Sequence, residues 1–144
     1  MTSWAHPTLV LHVLSCFFMT GAIWIIQIIH YPTFNYVGAE KFKQFHHFHS
    51  AQITWIVVPM MGCELVTGLL LSYWVGGIWR VQSLLVAAIW AATFFLSVPL
   101  HNKLGAGQDN LHIKKLIWTN WVRTLLWTVR TVLILSTVSI QLVS

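Results

Sequence analysis

The side chains here that are able to do chemistry are mostly histidines, and they recur at matching places. "FHHFHS", residues 45–50, holds His46, His47 and His49. His30 closes an apolar stretch in "IIHYPTF", His101 closes another in "SVPLHNKL", and His112 precedes a further one. Imidazole is the commonest metal ligand and the side chain that most readily gains or loses a proton near neutrality. If residues 45–50 are helical, His46 and His49 share a face at i and i+3, and two rings so placed reach one ion or two adjacent ones. His30 and His101 can reach the same layer from neighbouring elements. Four such donors suit zinc, copper or iron. His47 turns away from that face and His112 falls in a connecting segment, so neither is assigned as a ligand. His6 and His12 lie towards the opposite end. The plainer alternative is that histidines at the edges of apolar segments only extend to lipid headgroups.

Three charges fall inside apolar stretches: Glu64 in "CELVTG", and Arg123 and Arg130 in "NWVRTLLWTVRTVL". A charge at the centre of a bilayer costs about 2.5–3.5 kcal/mol on insertion scales, so such residues need partners and are functional candidates. Asn120, Arg123, Trp127 and Arg130 are spaced three, four and three apart, which is one stripe of a helix. Lipid cannot solvate that stripe, so it must face protein. At 1.5 Å per residue, Glu64 lies about 18 Å into its segment, a depth that either arginine can reach. The expected arrangement is a polar funnel. Histidines form its mouth, Asn120 and Arg123 its middle, and Glu64 with Arg130 its floor. Glu64 is a candidate proton donor or acceptor, and Asn120 and Arg123 candidates to orient a head group. Arg130 and Trp127 are candidates to contact a bound cofactor. The alternative is a Glu–Arg pair that only fixes helix register.

Apolar elements must hold these side chains. The 144 residues are 57% hydrophobic and 8% charged, against about 25% charged in a soluble domain. Four runs, about residues 8–30, 52–75, 80–100 and 115–142, can cross about 30 Å of hydrocarbon. The expected fold is therefore all-α, an integral-membrane four-helix bundle forming one domain over residues 1–144. Pro59 predicts a kink in the second span. "WVGGIW" makes spans two and three a tight hairpin. Residues 38–50, with Phe42, Phe45 and Phe48 at three-residue spacing, predict a short interfacial amphipathic helix running into span two. The first apolar run lacks a basic leader and is too long for a signal peptide, so it reads as a retained span.

Lys41, Lys43, Lys103, Lys114 and Lys115 lie on one side of this arrangement and Arg80 on the other. That asymmetry predicts loops 31–51 and 101–114 in the cytoplasm and both termini outside, as in a bacterial inner-membrane protein. The net charge of +5 comes from scattered residues that read as topology signals and lipid contacts, which argues against a nucleic-acid partner. Cys16 and Cys63 both sit in apolar runs as small buried hydrophobes, and no CxxC or CxxCH motif occurs.

Taken together, "IIHYPTF", "FHHFHSAQITWIVVPMMGCEL", "VPLHNKL" and "NWVRTLLWTVR" resemble a group of small four-span bacterial membrane proteins of unassigned function. The four-span size and the "PLHNKL … NWVRT" endings are also similar, more distantly, to the anthrone-oxygenase-like membrane proteins. That second likeness implies oxidation of a lipophilic aromatic or quinol-like substrate and assigns no residue roles. The small four-span protoporphyrinogen oxidases are comparable in size but share no motif.

The functional expectation is a membrane-embedded, metal-dependent oxidoreductase acting on a lipophilic or quinol-like substrate. His30, His46, His49 and His101 would hold the metal; haem between His30 and His101 is a less favoured variant. The alternatives are an accessory or cofactor-binding subunit of a larger membrane complex, and a small homo-oligomeric metal or proton transporter.

Overall fold

Long apolar runs with few breaking residues become long helices here. The computed structural model describes the backbone of residues 4–143 and the side chains of residues 4–137. Four helices carry nearly all of it: α1, Ala5–Tyr36; α2, Ala39–Trp74; α3, Ile78–Leu104; and α4, Asn110–Val143. The described residues contain no strand. Helices α1, α2 and α3 are each long and apolar enough to cross a membrane. The fourth expected span lies within α4, which carries Lys114, Lys115, Arg123 and Arg130.

Prolines shape the ends that carry the histidines. Ile26–His30 of α1 and Thr93–Ser97 of α3 are π-helical. Each stretch ends two residues before a proline, Pro32 or Pro99. A proline has no N–H to bond back to the residue four earlier, and its ring presses on that carbonyl, so the helix widens there. His30 is the last residue of the first π stretch, and His101 follows the second by four positions. Helix α2, by contrast, is α-helical on both sides of Pro59 and through it.

The expected interfacial helix is also corrected. Residues 39–50 are the opening turns of the 36-residue α2 and not a separate element. No glycine or proline lies between Glu40 and Val58 to end one helix and start another. Gly76 and Gly77 make the α2–α3 turn at φ 73° and 54°, where a side chain would be strained.

Helix α1 packs against α2 and α4, α2 against α3, and α3 against α4, closing a cycle. The interior includes Met19, Ile23, Phe34, Phe42, Met61 and Trp127, all at most 2% exposed. Leu14, Ile28, Trp55, Leu84 and Phe95 point outwards, an apolar surface suited to lipid. The helices approach closely at Gly68, where an added Cβ would stand 3.3 Å from His12 Cε1 and 3.4 Å from Ser83 Oγ.

The loop before α4 is tied down. Gln108 donates to the carbonyls of Phe34 and Val37 at 3.2 and 2.8 Å. Asp109 caps α4, accepting from the backbone N–H of Leu111 and His112 at 2.8 and 3.1 Å. Its other oxygen is 2.9 Å from His112 Nδ1. The backbone and imidazole of His112 hold this exposed carboxyl below the usual carboxylate range. A lowered folded-state value gives stability that is complete above the unfolded carboxylate's pKa and lost as pH falls through the folded one. The melting temperature should therefore exceed that of Asp109→Asn at pH 7, with the difference closing only once the pH falls below the unfolded carboxylate's range. A gap independent of pH would reject the ionised cap.

Candidate functional site

The proline-widened ends of α1 and α3 bring their histidines against the opening turns of α2. His30 Nε2 faces His49 Nδ1 at 2.6 Å, and His46 Nε2 faces His101 Nδ1 at 3.1 Å. Ring centroids are 4.2 Å apart for His30 and His49, 5.3 Å for His46 and His101, and 5.8 Å for His49 and His101. Four imidazoles from three helices thus form one layer. His46 and His49 are buried while His47 between them is exposed, as their helical spacing requires. Tyr31 joins the layer, its hydroxyl 3.0 Å from His101 Nε2. Phe34 packs edge-on against His30, His46 and His49. His112 stands apart on Asp109.

Hydrogen bonding satisfies most of this layer. Each facing nitrogen pair needs one N–H, and either tautomer of His101 can bond Tyr31. His49 Nε2 is the exception, being buried with no partner. As the rings stand, no group of three or more His, Cys, Asp or Glu among the described residues is arranged to hold a metal ion. The donor set is nevertheless right in kind for a transition metal. Two nitrogens on one tetrahedral ion with bonds of about 2.0–2.1 Å would stand about 3.3 Å apart. The His46–His101 pair, at 3.1 Å, is close to that spacing, and the His30–His49 pair, at 2.6 Å, would have to open.

The stripe on α4 continues inwards from this layer. Asn120, Arg123, Trp127 and Arg130 are all buried. Arg123 donates to Ser97 Oγ at 3.1 Å and Asn120 Oδ1 at 3.3 Å, and lies 5.4 Å from the centre of the Trp127 ring. Trp127 donates its indole N–H to Glu64, 3.0 Å from Oε2. Arg130 Nη1 is 2.7 Å from Glu64 Oε1. It is therefore Arg130 that pairs with Glu64, and Trp127 stands between that pair and Arg123. Arg130 also donates through Nε to Gln82 Oε1 at 3.2 Å, and its Nη2 is 3.4 Å from His12 Nε2. Trp127 and Arg130 are fully buried, and their hydrogen-bond partners are protein groups.

Three contributors were not anticipated. His12 bridges Arg130 and Thr67, with Nδ1 2.9 Å from Thr67 Oγ1. Gln82 both accepts from Arg130 Nε and donates to the Arg130 carbonyl at 3.1 Å. Gln27 accepts from Asn120 at 2.9 Å and donates to the Ile117 carbonyl at 3.1 Å. A signal for them exists: each is a polar residue within an apolar run, and such residues seek partners. Cys16 and Cys63 are free thiols; Cys16 is buried as expected, whereas Cys63 is only partly buried.

His101 lines several cavities. A groove of about 690 Å³ is lined by Lys43, His46, His47, His101 and Asn102 at the histidine end. A more enclosed cavity of about 370 Å³ runs among the helices past Tyr31, Met61, Trp90, Ser97, His101 and Arg123. A third, apolar hollow of about 510 Å³ beside Phe18, Ile25 and Ile56 reaches His30. Fold and site together define an all-helical chain with three helices of membrane-crossing length and apolarity, and a buried histidine layer at one end. Compared with family models, with curated proteins and with solved structures, the chain matches none.

Proposed function

We propose that this chain is a membrane-embedded, metal-dependent oxidoreductase acting on a lipophilic or quinol-like substrate. In this reading α4 is the fourth span of a membrane bundle and the histidine layer faces the cytoplasm. The observation that carries it is the histidine layer itself. Four imidazoles from three helices converge with no carboxylate among them, and His49 Nε2 is buried without a partner. A buried unsatisfied nitrogen costs about 1–3 kcal/mol, which a bound ion would offset. His30, His46, His49 and His101 would hold the ion after small ring rotations. A transition metal would supply Lewis acidity or one-electron chemistry. Tyr31 and His101 are hydrogen-bonded to one another and line the enclosed cavity, so they can pass a proton between the layer and a bound molecule. Glu64 has both oxygens engaged by Arg130 and Trp127, which fits fixing of helix register better than proton transfer.

The test is metal content by plasma mass spectrometry on protein purified without chelators, beside a His46→Ala/His49→Ala variant. The expected result is near-stoichiometric zinc, copper or iron in the parent and a loss of at least tenfold in the variant. An intense porphyrin (Soret) absorption band would identify haem instead. Metal-free parent protein would reject the reading in favour of a subunit of a larger membrane complex.

A further inference from the structure

Arg123 is a buried cation without an anion. It is 5% exposed. The chain has three acidic side chains, Glu40, Glu64 and Asp109. Glu64 pairs with Arg130, Asp109 pairs with His112, and Glu40 is exposed at the start of α2. The polar contacts of Arg123 are all with neutral groups, the oxygens of Ser97 and Asn120 and the Tyr31 hydroxyl, and its Nε is buried with no partner. A cation held this way is costly unless a negative group completes it.

Arg123 lines the enclosed cavity of about 370 Å³. The rest of that wall is mostly apolar, including Val57, Met61 and Phe94, and Trp90 contributes a second buried donor, Nε1, that also lacks a partner. Thr54, Val58, Phe94 and Val98 are exposed members of the same lining, from α2 and α3, so the cavity opens sideways between those helices on the apolar outer surface. Its volume is at the low end for small-molecule pockets, room for one chain or ring system and not for a two-chain lipid.

We infer that this cavity binds a single-chain lipophilic carboxylate. The tail enters from the bilayer between α2 and α3, and the head group meets the Arg123 guanidinium. An arginine fork matches a carboxylate in charge and geometry, whereas a neutral carbonyl would leave the buried charge uncompensated. His101 lines the same cavity, so the head group docks beside the histidine layer. The inference rests on the proposed reaction only in naming its substrate class; binding itself requires no metal.

The experiment uses the full chain in lipid nanodiscs after chelator treatment, photolabelled with a diazirine-bearing hexadecanoic acid. The labelled residues are mapped by mass spectrometry. Label is expected on cavity-lining residues of α2 and α3. Free hexadecanoic acid should compete at least tenfold better than its methyl ester. Arg123→Gln should weaken labelling at least tenfold, with Arg123→Lys intermediate. Equal competition by acid and ester on the unmodified chain would overturn the inference without relying on any variant's folding. So would label confined to the outer surface, or displacement by a short-chain quinone and not by the acid. Because metal content is measured separately, acid-selective labelling in a protein that never carries metal would support the site while rejecting the oxidoreductase reading.

Discussion

Glu64→Leu, with Arg130 left in place, is expected to destabilise the protein by about 3–5 kcal/mol, the usual cost of stranding one member of a buried ion pair. Arg130 is completely buried and Glu64 nearly so, so no water can replace the lost partner. The loss spreads beyond one bond. Trp127 would lose the acceptor for its indole N–H, and Arg130 would be left with Gln82 and His12. Groups in one network do not add independently, so the double variant is the informative one. Glu64→Leu/Arg130→Met removes both charges at similar volume and should recover most of the stability. Thermal unfolding in detergent of the parent, both single variants and the double variant closes the cycle. A Glu64→Leu protein as stable as the parent would show that the pair is not buried as described. A double variant as unstable as the single one would show that Arg130 is needed by Gln82 or His12 and not only by Glu64.

Phe34→Ala should cost a similar amount, about 3–5 kcal/mol, through the cavity it opens. Phe34 is fully buried, in edge contact with Phe42, Phe45 and three of the four histidines of the layer, and in tilted contact with Tyr31. It sets where those rings stand, and its own carbonyl accepts from Gln108 in the loop before α4. Removing the ring should therefore loosen the layer as well as the fold. On the proposed function, metal affinity should fall by at least tenfold in Phe34→Ala and much less in Phe34→Leu, which keeps most of the volume. Unfolding midpoints and metal titration of the purified variants provide the check. If both variants keep the parent's stability, the packing at this end is not what holds the histidines.

Much of the site was legible in the one-dimensional pattern. The spacing of His46 and His49, with His47 turned out, is a helix-period statement, and the structure keeps it. So is the Asn120, Arg123, Trp127, Arg130 stripe, which must be buried because hydrocarbon solvates none of its polar groups. His30 and His101 could be assigned to the same end because each closes an apolar run of similar length. The Phe34 platform was missed because a phenylalanine in an apolar chain carries no distinguishing signal. The π stretches before Pro32 and Pro99 had no signal of their own, because what a proline does to a helix depends on the packing around it, and α2 is α-helical through Pro59.

By itself the sequence determined the helical class, the three strongly apolar helices, the end at which the histidines collect and the polar residues that had to be buried. Those properties follow from composition and from a period of about 3.6 residues, both local along the chain. Tertiary structure alone decided which arginine takes Glu64, that His12 and Gln82 complete that pair, that Arg123 is left without an anion, and that His101 lines several cavities. Depth along a helix was readable to within a turn, and both arginines passed that test. The rotation and separation of neighbouring helices were not readable. They are set where bulky and missing side chains interlock, at Phe34 near one end and at Gly68 against His12 nearer the other.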